Sequence, residues 1–272
     1  MISINEKTYG NAENWREFFK KEKSLKTIKI HESWNDIFQR IFSDTRFENI
    51  EKKIREDVDN GKIVSPKPCV LFNTFFVTPI DEVKVVIIGQ DPYFNMKNGN
   101  VPEAVGLSFS VPTGLPIPSS LKSIYDNLYK FKNIKFMPQN GNLIFWAIQG
   151  CIMLNTALSV EIGKKKSHSA IWRWVTDELI RYISYTCEHV VFLLWGADAY
   201  SKANLIDQDK HDIIVSSHPS GLSRSKPLFK SSQGTKGNDR SSFKSFDDTD
   251  HFSLTNEFLS QHNQEQIIWQ VP

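Results

Sequence analysis

The chain has 272 residues, a formal net charge of +2, 40% hydrophobic residues and 24% charged residues. Those values suit a soluble globular protein long enough to bury a sizeable core. They exclude a strongly basic DNA-coating protein, although a local basic patch is enough to bind a phosphate backbone. No stretch reaches the ~18 continuous apolar residues of a membrane span. Residues 1–7 are polar and lack the apolar core of a secretory signal, so an intracellular protein with no membrane partner is expected. The three cysteines, Cys69, Cys151 and Cys187, show no C-x-x-C pairing. They read as reduced, mostly buried thiols with no zinc or iron–sulfur spacing.

In chain order, residues 1–60 read as two or three amphipathic helices. Trp15, Phe18 and Phe19, then Trp34, Ile37, Phe38 and Ile41, recur at helical spacing. Four short apolar runs follow, at 83–88, 151–154, 190–195 and 213–215, and read as strands of a buried parallel sheet. Helical periodicity over 121–131, 143–149 and 171–186 separates them, with Pro118-Ser119-Ser120 and Ser169 as helix starts. Such connections cover both sheet faces. The fold class expected is therefore a three-layer α/β/α domain over 1–272 with a central four-stranded parallel sheet. Residues 231–250 are rich in Ser, Gly, Asp and Lys and read as a mobile, solvated surface insertion that carries Lys236, Arg240 and Lys244. A further helical segment spans 254–261, followed by the apolar tail Ile267-Ile268-Trp269.

Each strand candidate ends in polar or small residues: Gly89-Gln90-Asp91-Pro92-Tyr93, Asn155-Thr156, Gly196-Ala197, and Ser216-Ser217-His218-Pro219-Ser220. In a parallel sheet all carboxyl ends lie on one edge, where ligands bind. Asp91, Asn155 and His218 should converge there. Taken singly, Asp91 beside Pro92 is also a turn residue, His218 a strand cap, Asn155 a buried amide, and Tyr93 and Phe109 core aromatics. Taken together, they suit one chemistry. A carboxamide reads the edge of a planar base, and an aromatic face stacks on it. A neutral imidazole donates to an oxyanion developing on a leaving group. A carboxylate orients water and stabilises an adjacent cation. There is no Gly-x-Ser-x-Gly elbow and no Gly-rich phosphate loop. The set fits hydrolysis at a nucleobase.

These residues also carry a family resemblance. VKVVIIGQDPY at 83–93 resembles the signature of family 1 uracil-DNA glycosylases. GLSFSV at 106–111, PSSL at 118–121, LNTALSV at 154–160, Ser167-His168 with Trp172 and Thr176-Asp177, LLWGADA at 193–199 and HPSGLS at 218–223 follow in the family's order. The resemblance runs from about residue 61 to the C-terminus, apart from 231–250. It implies a glycosylase that flips uracil from DNA, in single or double strands, and works as a monomer without cofactor, metal or lyase step. By position, Asp91 would polarise water and stabilise the sugar cation, and His218 would hold the departing anion. Asn155 would read the uracil edge, Phe109 would stack on the ring, and Tyr93 would exclude a 5-methyl group. Gln90 would add backbone and phosphate-side contacts. Ser120, Ser217, Ser220, Ser223 and the Gly196-Ala197 backbone would contact DNA, and Leu222 would wedge into the base stack. Lys164-Lys165-Lys166 reads either as a solvated loop or as a phosphate contact.

Three positions and one stretch depart from the family pattern. Phe94 stands where the family has a water-holding His, and Phe cannot hydrogen-bond. Residues 95–105 are longer than the usual turn. Gly221 replaces a common Pro, and Ala197 replaces Ser, removing one phosphate contact. Two alternatives follow from them: a glycosylase-derived DNA-binding or replication-accessory protein without activity, and a glycosylase of shifted base preference.

Overall fold

The structure is a computed structural model, and it describes residues 4–229 and 242–272. The four apolar runs form one parallel sheet of β1 (Val85–Gly89), β2 (Cys151–Asn155), β3 (Val191–Trp195) and β4 (Asp212–Ser216). Their order is β2-β1-β3-β4. Successive strand residues point to opposite faces. Val86, Ile88, Ile152, Leu154, Phe192 and Leu194 therefore join one core cluster, while Val85, Ile87, Cys151, Met153, Val191 and Leu193 join the other. Burial on both faces is why the runs are continuous rather than alternating. The expected three-layer architecture is what the chain adopts.

The N-terminal region differs in detail from the two or three helices expected. It holds four α-helices: α1 (Glu6–Gly10), α2 (Trp15–Lys20), α3 (Asn35–Ser43) and α4 (Thr45–Asp59). Polar caps restart the chain at short intervals. Asn5 accepts from the Thr8 amide, Asp44 accepts from the Arg46 amide, and Asn14 forms a reciprocal capping box with Glu17. Each cap satisfies amides that no preceding turn can reach, at about 1 kcal/mol apiece. The apolar faces of α2, α3 and α4 pack on one side of the sheet together with α6 (Ser169–Thr186). The other side is covered by α5 (Ser119–Lys130) and α7 (His251–Gln261), with the C-terminal Ile267, Trp269 and Val271 laid over it. The 143–149 stretch shortens to a single turn, Ile144–Ala147.

The expectation of a surface insertion over 231–250 does not hold for its second half. Phe246 is fully buried, 5.2 Å from the Trp195 ring and 4.6 Å from His251. Arg224 ties this segment down by donating to Asp247 at 2.7 Å and to Asp126 at 2.9 Å. One aromatic anchor outweighs a polar composition here, because a buried Phe stabilises by about 1.5–3 kcal/mol. Residues 230–241, with Lys236 and Arg240, lie outside the described residues. Cys151 and Cys187 are buried as expected, but Cys69 is exposed. Among the described residues no helix is long and apolar enough to cross a membrane.

Candidate active site

The carboxyl edge of the sheet is built from close approaches that set side-chain types. Gly89 closes β1 opposite Asn155, the last residue of β2. A Cβ on Gly89 would lie 2.3 Å from Asn155 Oδ1 and 3.1 Å from Ser108 Cβ, so only hydrogen fits beside the Asn155 amide. The chain then turns through Gln90, whose carbonyl accepts from Thr156 Oγ1 at 2.8 Å and from the Ala157 amide at 3.2 Å. That fixes the loop after β1 to the loop after β2 and aims Asp91 away from the sheet.

Asp91 is held by the loop ahead of α6. Its Oδ2 accepts from the Lys166 amide at 3.1 Å, and its Oδ1 accepts from Ser169 Oγ at 3.0 Å. Burial pushes its pKa above the ordinary carboxylate value. The two donors, and the charges of Lys165 and Lys166, pull the other way. Lys166 has a left-handed backbone, φ 61°, uncommon outside glycine. The same loop is anchored from beneath by His168, 1% exposed. Its Nε2 meets Asp57 Oδ2 at 3.0 Å and its Nδ1 meets Ser159 Oγ at 2.8 Å. Asp57 in turn takes Lys53 and Lys62 at 2.7 Å each. The donors to Asp91 thus stand on a buried polar chain reaching back to α4.

His218 follows β4. Its Nδ1 accepts from the Ser220 amide at 3.0 Å. That bond puts the ring proton of the neutral form on Nε2. Burial, then the charge of Lys165, lowers the pKa to about 4, with Asp198 acting in the opposite direction. The imidazole is neutral at pH 7 and is a donor through Nε2. Gly196 makes room for it, since a Cβ there would sit 3.0 Å from His218 Cβ and the backbone φ is 92°. Phe109 also adopts a left-handed backbone, φ 63°. Its ring lies 5.5 Å from Trp195 and 6.0 Å from His218. Tyr93 donates its hydroxyl to the Phe109 carbonyl at 3.3 Å.

Asp91, Tyr93, Phe109, Asn155 and His218 converge on one cavity of about 430 Å³, with Gln90, Phe94, Ser120 and Ser220 also in its wall. The long 95–105 stretch folds as a small hairpin, Met96–Lys97 paired with Val101–Pro102, and adds Lys97 and Glu103 to the cavity. Leu222, beyond His218, is 87% exposed. Ser223 bonds Ser220 Oγ at 2.8 Å and the His218 carbonyl at 3.1 Å, which shapes that loop. Ser217 is a correction. It is 3% exposed, and its hydroxyl accepts from the Phe246 amide and donates to the Arg224 carbonyl. It ties the loop to the Phe246 segment, its hydroxyl spent on two backbone groups instead of facing solvent as a DNA contact requires. Sequence reading missed Ser169 as an Asp91 partner, the Lys166 amide and Asp198. None carried a signal stronger than loop composition.

The family model of the uracil DNA glycosylase superfamily matches residues 75–239. A uracil-DNA glycosylase of Pseudomonas aeruginosa is 39% identical over 246 residues, covering 90% of this chain and 96% of the relative. The chain belongs to the uracil-DNA glycosylase family. A Borreliella burgdorferi uracil-DNA glycosylase is 40% identical over 246 residues, covering 89% and 99%. A probable uracil-DNA glycosylase of Acanthamoeba polyphaga mimivirus is 36% identical over 271 residues, covering 99% of this chain and 73% of the relative. The crystal structure of mimivirus uracil-DNA glycosylase superposes with a TM-score of 0.93 at 36% identity, covering 99% of this chain and 98% of that one. The segment matched by the uracil-DNA glycosylase model contains every residue in the cavity wall. The helices before residue 60 lie outside it, yet the mimivirus structure includes their equivalents.

Proposed function

We propose that this chain excises uracil from DNA by hydrolysing the N-glycosidic bond, with Asp91 and His218 as catalytic residues. The observation that carries the reading is the convergence of Asp91, Asn155, His218, Phe109 and Tyr93 on one cavity at the carboxyl edge of the sheet. The bond between C1′ and the base nitrogen breaks with its electron pair leaving on uracil. The sugar becomes cationic, and the base becomes an anion. Asp91, ionised and fixed by two donors, stabilises the cation and orients the water that adds at C1′. His218 donates from Nε2 to the carbonyl oxygen on which the anion develops. Donors fixed before reaction need no reorganisation, and one of this kind is worth roughly 100- to 1,000-fold in rate. The water's proton replaces the lost sugar bond on the base, so free uracil and an abasic site are the products.

Base choice follows from the walls. Asn155 pairs with the polar edge of the ring, Phe109 stacks on its face, and Tyr93 fills the space beside C5. Gln90 closes the wall on the phosphate side. Outside the cavity, Ser120, Ser220 and Ser223, the Gly196-Ala197 backbone and the lysines at 164–166 meet the DNA backbone. Leu222, projecting into solvent, fills the stack vacated by the flipped nucleotide. Burying that side chain offsets part of the few kcal/mol that flipping costs.

The test is alkali cleavage of a single-uracil oligonucleotide in EDTA by wild type, Asp91→Asn and Phe94→His. Cleavage by wild type that is lost in Asp91→Asn is expected. The Phe94→His variant restores a hydrogen-bonding side chain at the cavity wall and is expected to be faster. Wild-type protein that binds DNA but releases no uracil would instead make the chain an accessory protein.

A further inference from the structure

One acid stands on the rim that meets DNA. Asp198 lies two residues past Gly196, and its side chain is 52% exposed. Its carboxylate accepts from the Gln90 amide nitrogen, and both of its oxygens lie 3.2 Å from Lys166 Nζ. The three residues come from three separate segments: the loop after β1, the loop ahead of α6, and the one-turn helix Ala197–Tyr200 after β3. Both partners also act within the cavity. Gln90 lines it, and the Lys166 backbone amide holds Asp91. The ion pair is exposed on both sides, 51% for Lys166, so solvent screens it and it exchanges readily. A phosphate offers Lys166 an equivalent partner.

We propose that Asp198 is an affinity-limiting clasp. In the free protein it occupies Lys166 and Gln90 across the cavity mouth. When DNA docks, Lys166 exchanges the carboxylate for a backbone phosphate, and Asp198 remains as a negative charge beside the strand. This rests on the assignment of this edge as the DNA face. The consequence is weaker binding to all DNA, damaged or not, without loss of the groups that recognise uracil. An enzyme that must leave long tracts of undamaged DNA and its own abasic product gains turnover from such a residue.

Counterion accounting gives the size of the effect. A lysine that neutralises one phosphate contributes about 0.9 to the slope of log affinity against log salt. To the extent that Lys166 stays with Asp198 in the complex, it releases no counterion from a phosphate. Asp198→Asn therefore steepens the slope by up to about 0.9. It also tightens binding to undamaged duplex about fivefold, the worth of one unit charge about 4 Å away in water.

The measurement is fluorescence anisotropy of the full chain with a labelled undamaged duplex across a salt series. Wild type, Asp198→Asn, Lys166→Gln and the double variant are compared. The expected result is tighter binding and a steeper slope for Asp198→Asn, with the slope gain abolished when Lys166 is Gln. Equal or weaker binding by Asp198→Asn at an unchanged slope would overturn the proposal, as would a slope gain that survives Lys166→Gln. Lys165→Gln separates this failure from that of the underlying assignment. If it weakens binding while Asp198→Asn is silent, the DNA face stands and the clasp is wrong. If Lys165→Gln and Leu222→Ala are silent too, the DNA face itself is misplaced and the proposal falls with it.

Discussion

Gly89→Ala is expected to damage base recognition while leaving the sheet standing. Gly89 ends β1 in ordinary strand geometry, so alanine brings no backbone strain there. The added methyl instead meets Asn155 Oδ1 at 2.3 Å and Ser108 Cβ at 3.1 Å. Ser108 cannot retreat, because its amide donates to the Met153 carbonyl at 3.0 Å and its residue is fully buried. The Asn155 amide must therefore swing aside, at a cost of about 0.5–1.5 kcal/mol for an off-rotamer side chain. Moving it forfeits its paired hydrogen bonds to the base. A bidentate amide-to-base pair is worth about 1–3 kcal/mol of discrimination, or roughly 5- to 150-fold in kcat/KM. The assay is single-turnover uracil release, with abasic-DNA binding and thermal unfolding measured alongside. In an Asn155→Ala background the amide is already gone, so Gly89→Ala should cost little more. A Gly89→Ala protein within twofold of wild type would refute the reasoning. So would an equal penalty with and without the Asn155 amide.

Two further predictions concern pH and the C5 wall. Turnover needs Asp91 ionised and His218 neutral. Asp91 is raised from its usual value, and His218 is lowered to about 4. His218 should thus give no limb near its ordinary 6.5, and the acid-side loss of uracil release comes from His218 near 4 together with Asp91, whose raised pKa moves its share of that loss upward. Activity that falls as pH rises through 6–7 would show that His218 acts in its charged form. Stability follows the same sign. The unfolded histidine binds its proton at about 6.5, and the folded one only near 4. Its contribution is therefore complete above about 6.5 and is lost as pH falls through that window. Separately, Tyr93→Ala opens the space beside C5, and measurable release of thymine from a thymine-containing oligonucleotide is expected. One methyl in such a pocket is worth about 1–3 kcal/mol. A variant that still ignores thymine would remove Tyr93 from the role of steric gate.

Local sequence determined the sheet and the identity of its polar edge. Four apolar runs with period-two burial on both faces have one arrangement that hides them, and a parallel sheet delivers whatever follows each strand to one edge. That is why Asp91, Asn155 and His218 were legible although more than 120 residues separate the first from the last. Helix counts near the N-terminus were not, because capping by Asn5, Asn14 and Asp44 divides one amphipathic stretch into several helices. Tertiary packing decided the rest. Phe246 lies in a segment whose composition reads as solvent-facing, and only the cleft beside Trp195 makes it core. Ser217 and Ser220 are alike in sequence, yet one is consumed by the Phe246 amide while the other's own amide sets the tautomer of His218. Asp198 and Lys166 are 32 residues apart, and no periodicity links them. Their pairing exists because the loop ahead of α6 and the helical turn after β3 meet beside one cavity, and distance in space, which no local pattern encodes, sets the charge presented there.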